Sequence, residues 1–437
     1  MKSVVIFIAK FLSFFMNILG RTGGSLPGVV ALKFDSRILE KLVWPKDVVV
    51  VTATNGKSTM TNMIADVFEK DGRRVVVNRQ GDNLRRGVVS LMMKNVNLLG
   101  RVRGDVVVLE VDEMSVRDLM REVPVSVLLV GNIFRDQLDR VGSIENVISR
   151  LEECVVEYSG KLVLCGDDVG VARLSLKTKA EVVYFGIGRV EGSLDKCDES
   201  PDGKICPRCG ELLRYEFYQY SHLGRFLCVE CRFGDFKVEY LIDKINLDIG
   251  SFIVRGVEFK ILNKTTYGVY NALGVVAVCS EMGVDVRVVK DVLVEFEIGN
   301  GRMEVFELKN GKKLVVNVVK NVAGANEIIK WIMSQSGKKE VFIVLNNAIA
   351  DGEDIGWIED VKFEILADEN IERVICGGMK VEDISIRIRK AGVEDSKILV
   401  VRNIKEGVEK LCDKNSDKFI MVSYTGVKSV RDELRKL

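Results

Sequence analysis

The sequence predicts an α/β protein: a P-loop domain that carries an inserted zinc ribbon, followed by a second α/β domain. Three observations lead there. Apolar runs that read as buried strands alternate with helical patterns from Val48 to Phe185, and again from Leu314 to Val422. The segment Thr52-Ala-Thr-Asn-Gly-Lys-Ser-Thr59 joins one such strand to a helical pattern, Met60 to Phe68. Two Cys-x-x-Cys pairs, Cys206/Cys209 and Cys228/Cys231, sit in a stretch that breaks the alternation.

A chain of 437 residues is long enough for two or three domains, each with its own core. Its 64 Lys and Arg against 63 Asp and Glu imply no broad nucleic-acid surface. Of the ten cysteines, Cys154, Cys165, Cys279 and Cys376 lie singly in apolar surroundings and read as small core residues. No signal-peptide pattern is visible, so a reducing cytoplasm is expected.

Residues 1–45 read as an N-terminal helix and linker, with Gly20, Gly23, Gly24 and Pro27 in the linker. Val4 to Leu19 is strongly apolar, but short for a transmembrane helix and interrupted by Lys10. A helix packed on the first domain is the favoured reading. An amphipathic helix on the inner face of the membrane is the alternative.

Residues 46–299 read as the P-loop domain. Val48-Val49-Val50-Val51 is its first buried strand, and Val75–Val77, Asp105–Val111, Val125–Val130, Lys161–Cys165 and Val182–Phe185 follow. The Cys-rich insert covers about 195–238. Short strands resume at Ile242–Ile261, and a helix over Tyr270–Met282 places Asn271 near its start. Residues 300–437 form the C-terminal domain, with strands at 314–318, 341–345, 373–376, 398–401 and 419–422.

Strand, tight turn, Gly-Lys-Ser and helix is the context of a P-loop. Backbone N–H groups of the turn would cradle phosphate oxygens. Lys57 would reach the β- and γ-phosphates, and the Ser58 hydroxyl would sit on Mg²⁺. The full Walker pattern asks for Gly where this chain has Val51. Leu109-Glu-Val-Asp-Glu113 ends a buried strand, where ligands bind in open α/β sheets. Glu110 and Asp112 are candidates for Mg²⁺ there, although strand-end carboxylates are often solvated turn residues. Gly131-Asn-Ile-Phe-Arg-Asp-Gln-Leu-Asp-Arg140 follows another apolar strand and could orient phosphates and metal, or only cap a helix.

Eighteen residues separate the two cysteine pairs, which is zinc-ribbon spacing. Four thiolates fill a tetrahedral shell, so Cys206, Cys209, Cys228 and Cys231 should hold a structural zinc. The single histidine, His222, lies in this insert and reads as a surface or packing residue. One histidine leaves no Cys–His or Ser–His–Asp catalysis within the chain.

Taken together with Tyr270-Asn-Ala-Leu273 and Asn300-Gly-Arg302, these segments resemble the Mur ligase superfamily, and within it the ligase subunits of lipid II isoglutaminyl synthases. Those subunits share the zinc insert, an Asp-Gly-x-Asp-x-x-Trp segment matched by Asp351 to Trp357, and a Lys-Asn-x-Ala-Gly-x-Asn segment matched by Lys320 to Asn326. The resemblance implies an ATP site of Thr54, Asn55, Gly56, Lys57, Ser58, Thr59, Asn271 and Arg302, with Mg²⁺ on Ser58 and Glu110. It implies amidation of the D-glutamate α-carboxylate of a lipid-linked stem peptide, through an acyl phosphate. Ammonia would come from a separate GatD-like glutaminase subunit, and Asp354 would orient that partner's histidine.

The chain departs from the family pattern at Ala53, Ser58 and Ile355-Gly356. Only about 45 residues precede the first strand, which argues against a UDP-linked substrate. A lineage with another wall polymer could use the same machinery on a different peptide. The alternatives are a folylpolyglutamate-synthase-like amino-acid ligase and a non-catalytic nucleotide-binding scaffold. The zinc insert and the Asp351–Trp357 segment argue against the first, and Glu110 with Asp112 against the second.

Overall fold

A computed structural model describes residues 2–18, 24–79, 82–136, 142–197, 202–297, 299, 301–308, 311–412 and 416–436. The linker glycines Gly20 and Gly23 lie outside the described residues. The chain divides into two compact units. One is Met1–Ile133 with Ile144–Phe296, and the other is Phe134–Ser143 with Glu297–Leu437.

The first unit opens with α1 (Lys2–Ile18) and α2 (Leu26–Phe34). Its strands are β1 (Asp47–Thr52), β2 (Val75–Val77), β3 (Val106–Glu110), β4 (Val127–Val130), β5 (Lys161–Cys165) and β6 (Glu181–Ile187). Between them run α3 (Lys57–Lys70), α4 (Arg85–Asn95), α5 (Val116–Met120), α6 (Ile144–Val155) and α7 (Val169–Ala172). After the insert, with β7 (Arg214–Tyr220) and β8 (Leu223–Leu227), come β9 (Tyr240–Asn246), β10 (Ser251–Val254) and β11 (Val257–Lys260). Helices α8 (Thr266–Glu281) and α9 (Val286–Glu295) close the unit.

Among the described residues the sheet has nine strands, in the order β11-β10-β9-β6-β5-β4-β1-β3-β2. Its centre is parallel, and β9, β10 and β11 add an antiparallel end. The valines of β1 are buried on both faces, as a central parallel strand requires. From β1 the chain moves toward β2 and β3, and from β4 it moves the other way, toward β5. The crevice beyond the carboxyl ends of β1 and β4 is therefore a topological switch point, the place where such sheets bind ligands.

Helix α8 starts at Thr266, earlier than its apolar pattern predicts, because Thr265 caps it by accepting a hydrogen bond from Gly268 N at 3.1 Å. Asn271 consequently lies in the second turn. Helix α1 buries Val5, Ile6, Ala9 and Ser13 within its unit and leaves its opposite stripe exposed. It packs on α2 and α4, as the favoured reading expects. Among the described residues no helix is long and apolar enough to cross a membrane.

The second unit contains β12 (Glu304–Glu307), β13 (Lys313–Val318), β14 (Lys339–Val344), β15 (Ile371–Gly377), β16 (Ile398–Val400) and β17 (Asp417–Val422). Its helices are α10 (Val322–Ser334), α11 (Val381–Lys390), α12 (Ile404–Leu411) and α13 (Val427–Leu434). The strand order is β12-β13-β17-β14-β15-β16, parallel except for β12. Leu314, Phe342, Ile375 and Ile420 lie at the centre of its core. Strand β12 was not expected from the sequence: it is short and half exposed, so no apolar run marks it.

Candidate active site

The site is built on the turn from β1 to α3. Gly56 takes φ +89°, in the left-handed region, and opens α3 so that Lys57 begins the helix. Asn132, just past β4, braces the turn. Thr54 N donates to Asn132 O at 2.8 Å, Asn55 N donates to Asn132 Oδ1 at 2.8 Å, and Asn132 Nδ2 donates to Asn55 O at 2.9 Å. Ala53 keeps its backbone outside the left-handed region. Its methyl is accommodated by Gly131, where an added Cβ would stand 3.0 Å from Ala53 Cβ.

Lys57 is gathered into a nest of carboxylates. Its Nζ donates to Glu113 Oε2 at 2.9 Å and to Ala53 O at 2.5 Å. Burial pulls the ammonium toward neutrality. The charge and hydrogen bond of Glu113, with the charges of Glu110 and Asp112, outweigh burial and raise its pKa above that of an ordinary lysine. Glu110 is 3% exposed and Asp112 6%, so neither is a solvated turn residue. Asn78 fixes the Glu110 backbone with two hydrogen bonds, and Asn83 Nδ2 donates to Glu110 Oε1 at 3.3 Å. A buried carboxylate and the Ser58 hydroxyl are the hard oxygen donors that magnesium takes.

Asn271 belongs to the same cluster, since its Oδ1 lies against Gly56. The structure thus brings together Thr54, Asn55, Gly56, Lys57, Ser58, Thr59, Glu110 and Asn271. The brace at Asn132 uses the start of the segment that follows β4, whereas Gln137, Leu138, Asp139 and Arg140 lie outside the described residues.

Sequence reasoning missed Asp167 and Asp168, which follow β5 and are both 1% exposed. Asp168 caps α7, accepts from Ile133 N at 2.8 Å and stands 3.4 Å from His222 Nε2. Asp167 accepts from Tyr270 OH at 2.6 Å and Ile187 N at 2.7 Å. Burial pushes Asp167 up to about 6 against those hydrogen bonds. Their signal was two adjacent carboxylates at the end of an apolar strand, the same kind of signal that marked Glu110. His222, at the tip of the β7–β8 hairpin, is 3% exposed and is a packing residue.

The four insert sulfurs converge, all within 4.8 Å of one another. Cys206 Sγ and Cys231 Sγ are 3.5 Å apart, as are Cys209 Sγ and Cys228 Sγ. That spacing fits one tetrahedral thiolate-bound zinc. Stacking of Phe236 on Tyr184, with ring centroids 4.0 Å apart, anchors the insert to β6. Cys165, Cys279 and Cys376 are buried in the core and Cys154 is half-buried. Burial pushes the Cys154 and Cys376 thiols to about 12, so they are inert.

Arg302 and Asp354 belong to the second unit. Arg302 is half-buried, and Asn300 beside it lies outside the described residues. Lys320 pairs with Asp136 at 2.5 Å, joining two of the singled-out segments. Asn321 caps α10 through Gly324 N at 2.9 Å. Asp351 is buried and committed internally, accepting from Thr425 N at 2.8 Å and Thr425 Oγ1 at 2.5 Å. Asp354 is exposed and accepts from Gly356 N at 2.7 Å.

Residues 51–207 match the Mur ligase middle domain, and residues 318–427 match the MurT ligase C-terminal family. The chain is 30% identical to the MurT subunit of lipid II isoglutaminyl synthase (glutamine-hydrolyzing) from Staphylococcus aureus strain COL, over 95% of this chain and 94% of that one. It is 29% identical to the subunit of the same name from Streptococcus pneumoniae, over 96% and 94%. A solved pseudomurein peptide ligase type C from Methanothermus fervidus shares the fold, with TM-score 0.69, 24% identity, and coverage of 91% of this chain and 80% of that one. The chain therefore belongs to the MurT family of the Mur ligase superfamily, a family of ATP-dependent ligases.

Proposed function

We propose that this chain is the synthetase subunit of a glutamine-dependent amidotransferase that converts the D-glutamate α-carboxylate of a lipid II stem peptide to D-isoglutamine. The observation that carries this reading is near full-length similarity to the MurT subunits, combined with an intact Lys57–Ser58 turn at the sheet's switch point. A carboxylate is a poor electrophile, and transfer of the ATP γ-phosphoryl to it forms an acyl phosphate with a good leaving group. Ammonia then attacks the carbonyl carbon, and phosphate departs. Backbone N–H groups at the start of α3 hold the ATP phosphates. Lys57, kept charged by its carboxylate neighbours, offsets negative charge that spreads over the transferred group. Ser58 and Glu110 would hold magnesium, which when bound would screen the same charge. Asn271, whose Oδ1 lies against Gly56, completes the nucleotide site of the first unit.

A single histidine, buried at 3% exposure, leaves this chain without a base for glutamine hydrolysis. Ammonia comes from a GatD-like glutaminase subunit, whose catalytic histidine Asp354 orients from the surface of the second unit. Zinc at the four cysteines is structural. Amide products measured with glutamine, ammonia and glutamate as competing donors test the reading. Amide formed from ammonia by the chain alone, and from glutamine only with the glutaminase present, supports it. Transfer of glutamate instead would make it an amino-acid ligase of the folylpolyglutamate type.

A further inference from the structure

Helix α1 buries one side and presents the other to solvent as an unbroken apolar stripe. Val4, Phe7, Phe11, Phe14, Phe15 and Ile18 are between 51% and 65% exposed. At 100° per residue these six positions fall within about a quarter to a third of the helix circumference. Four phenylalanines in water on one helix face far exceed the scattered exposure normal for a soluble surface. The loop carrying Leu98 and Leu99, 50% and 75% exposed, lies beside the start of α1, where Lys2 packs against Gly100.

The segments that carry this stripe and pack beside it are basic in sequence, although Arg85 among them is paired with Glu122. Residues 1–34 contain Lys2, Lys10, Arg21 and Lys33 and no acidic residue. Residues 83–104, which include α4 against α1, contain Arg85, Arg86, Lys94, Arg101 and Arg103 and again none. These two segments hold nine of the 64 basic residues and none of the 63 acidic ones, so the rest of the chain is net acidic. Lys10 donates to Lys94 O at 2.9 Å from the flank of the stripe. Lys10 also feels the charge of Arg103.

We propose that α1 is an interfacial anchor, lying flat in the headgroup region of an anionic bilayer with its phenylalanine stripe turned into the acyl boundary and the surrounding basic residues on lipid phosphates. A flat amphipathic helix with aromatic residues on one face and lysines flanking it is the form such anchors take. The helix is not long and apolar enough to span. A second copy of this chain fits less well, because mating two such faces would bring the same basic excess against itself. The inference does not depend on which carboxylate the enzyme amidates.

The test is flotation of the full-length protein with vesicles of phosphatidylcholine alone, or with about one third phosphatidylglycerol. The wild-type chain floats with the anionic vesicles, less in high salt, and weakly with the neutral ones. The triple variant Phe7→Ser/Phe11→Ser/Phe14→Ser loses at least about 100-fold in partitioning. Its melting temperature falls little, because more than half of each of the three residues already faces solvent. Its ammonia-dependent turnover of a water-soluble stem peptide also stays unchanged, which separates the anchor from the chemistry. Failure of the wild type to float overturns the proposal, as does flotation that survives the triple substitution. A wild-type dimer that ignores vesicles and dissociates in the variant would assign the stripe to self-association.

Discussion

Asn271 Oδ1 occupies the space into which a side chain on Gly56 would point: a Cβ built on Gly56 would stand 2.0 Å from it. Helix α8 therefore closes over the turn between β1 and α3, and position 56 is doubly restricted, by its φ of +89° and by this contact.

Gly56→Ala should cost at least about 2 kcal/mol of stability and abolish nucleotide binding, since a side chain at positive φ adds strain to the clash. Gly56→Ala/Asn271→Ala should recover the steric part only. Thermal melts and ATP titrations check this, and a fully restored double variant would mean that φ contributes nothing.

Lys57→Ala should remove ATP turnover, as loss of a preorganised charge facing the transferred phosphoryl costs several kcal/mol in the transition state. It should also lower stability, by about 1–3 kcal/mol, because Glu113 is left beside Glu110 and Asp112 without its cation. Lys57→Ala/Glu113→Ala should regain the stability and none of the turnover. Near-wild-type turnover in either variant would remove Lys57 from the mechanism. Glu110→Ala should be partly rescued by raised magnesium if that carboxylate holds the ion.

Metal analysis of protein purified without chelator should find about one zinc per chain. Cys206→Ser should lose it and expose the β7–β8 hairpin to protease. Because Phe236 stacks on Tyr184, the damage should spread to β6 and lower the melting temperature of the first unit. A metal-free protein of full stability would refute the site.

Asp354→Asn should damage the glutamine-dependent reaction by orders of magnitude and the ammonia-dependent reaction little, if its charge orients a partner histidine. The chain alone should use ammonia and not glutamine. Asp351→Asn should instead unfold the turn around Gly352, since Asp351 is tied to Thr425. Equal loss with both donors in Asp354→Asn would place that residue in substrate binding.

Asp167 gives a pH dependence of defined sign. Its folded pKa is raised to about 6 from an ordinary value of 3.8, so the folded protein binds its proton more tightly than the unfolded chain. That contribution is fully present below pH 4 and is lost as pH rises through 6, with a total of about 3 kcal/mol. The stability of the wild type relative to Asp167→Asn should fall by roughly that amount between pH 4 and pH 7. Chemical denaturation across that range measures it, and a difference independent of pH would show that Asp167 ionises normally.

The sequence by itself determined the alternating α/β fold, the strand–turn–helix around Gly56-Lys57-Ser58 and the four-cysteine cluster. Each is a local signal: a four-valine strand, Gly-Lys-Ser at a helix entrance, and cysteine pairs at ribbon spacing. Tertiary structure decided which carboxylates matter and how the site is held. Asn132 reads as a loop residue until β4 is placed beside β1, where its amide can pair with the backbone of Asn55. Asp167 and Asp168 look like turn residues until α8 and the insert bury them. Asp351 and Asp354 look equivalent in sequence, yet one is pinned inside by Thr425 and the other stays in water. The stripe on α1 was legible as apolar, but which side stays uncovered depends on where α2 and α4 pack. Burial and pairing are set by segments distant in the chain, and a single sequence prints periodicity and spacing rather than the partner that meets them.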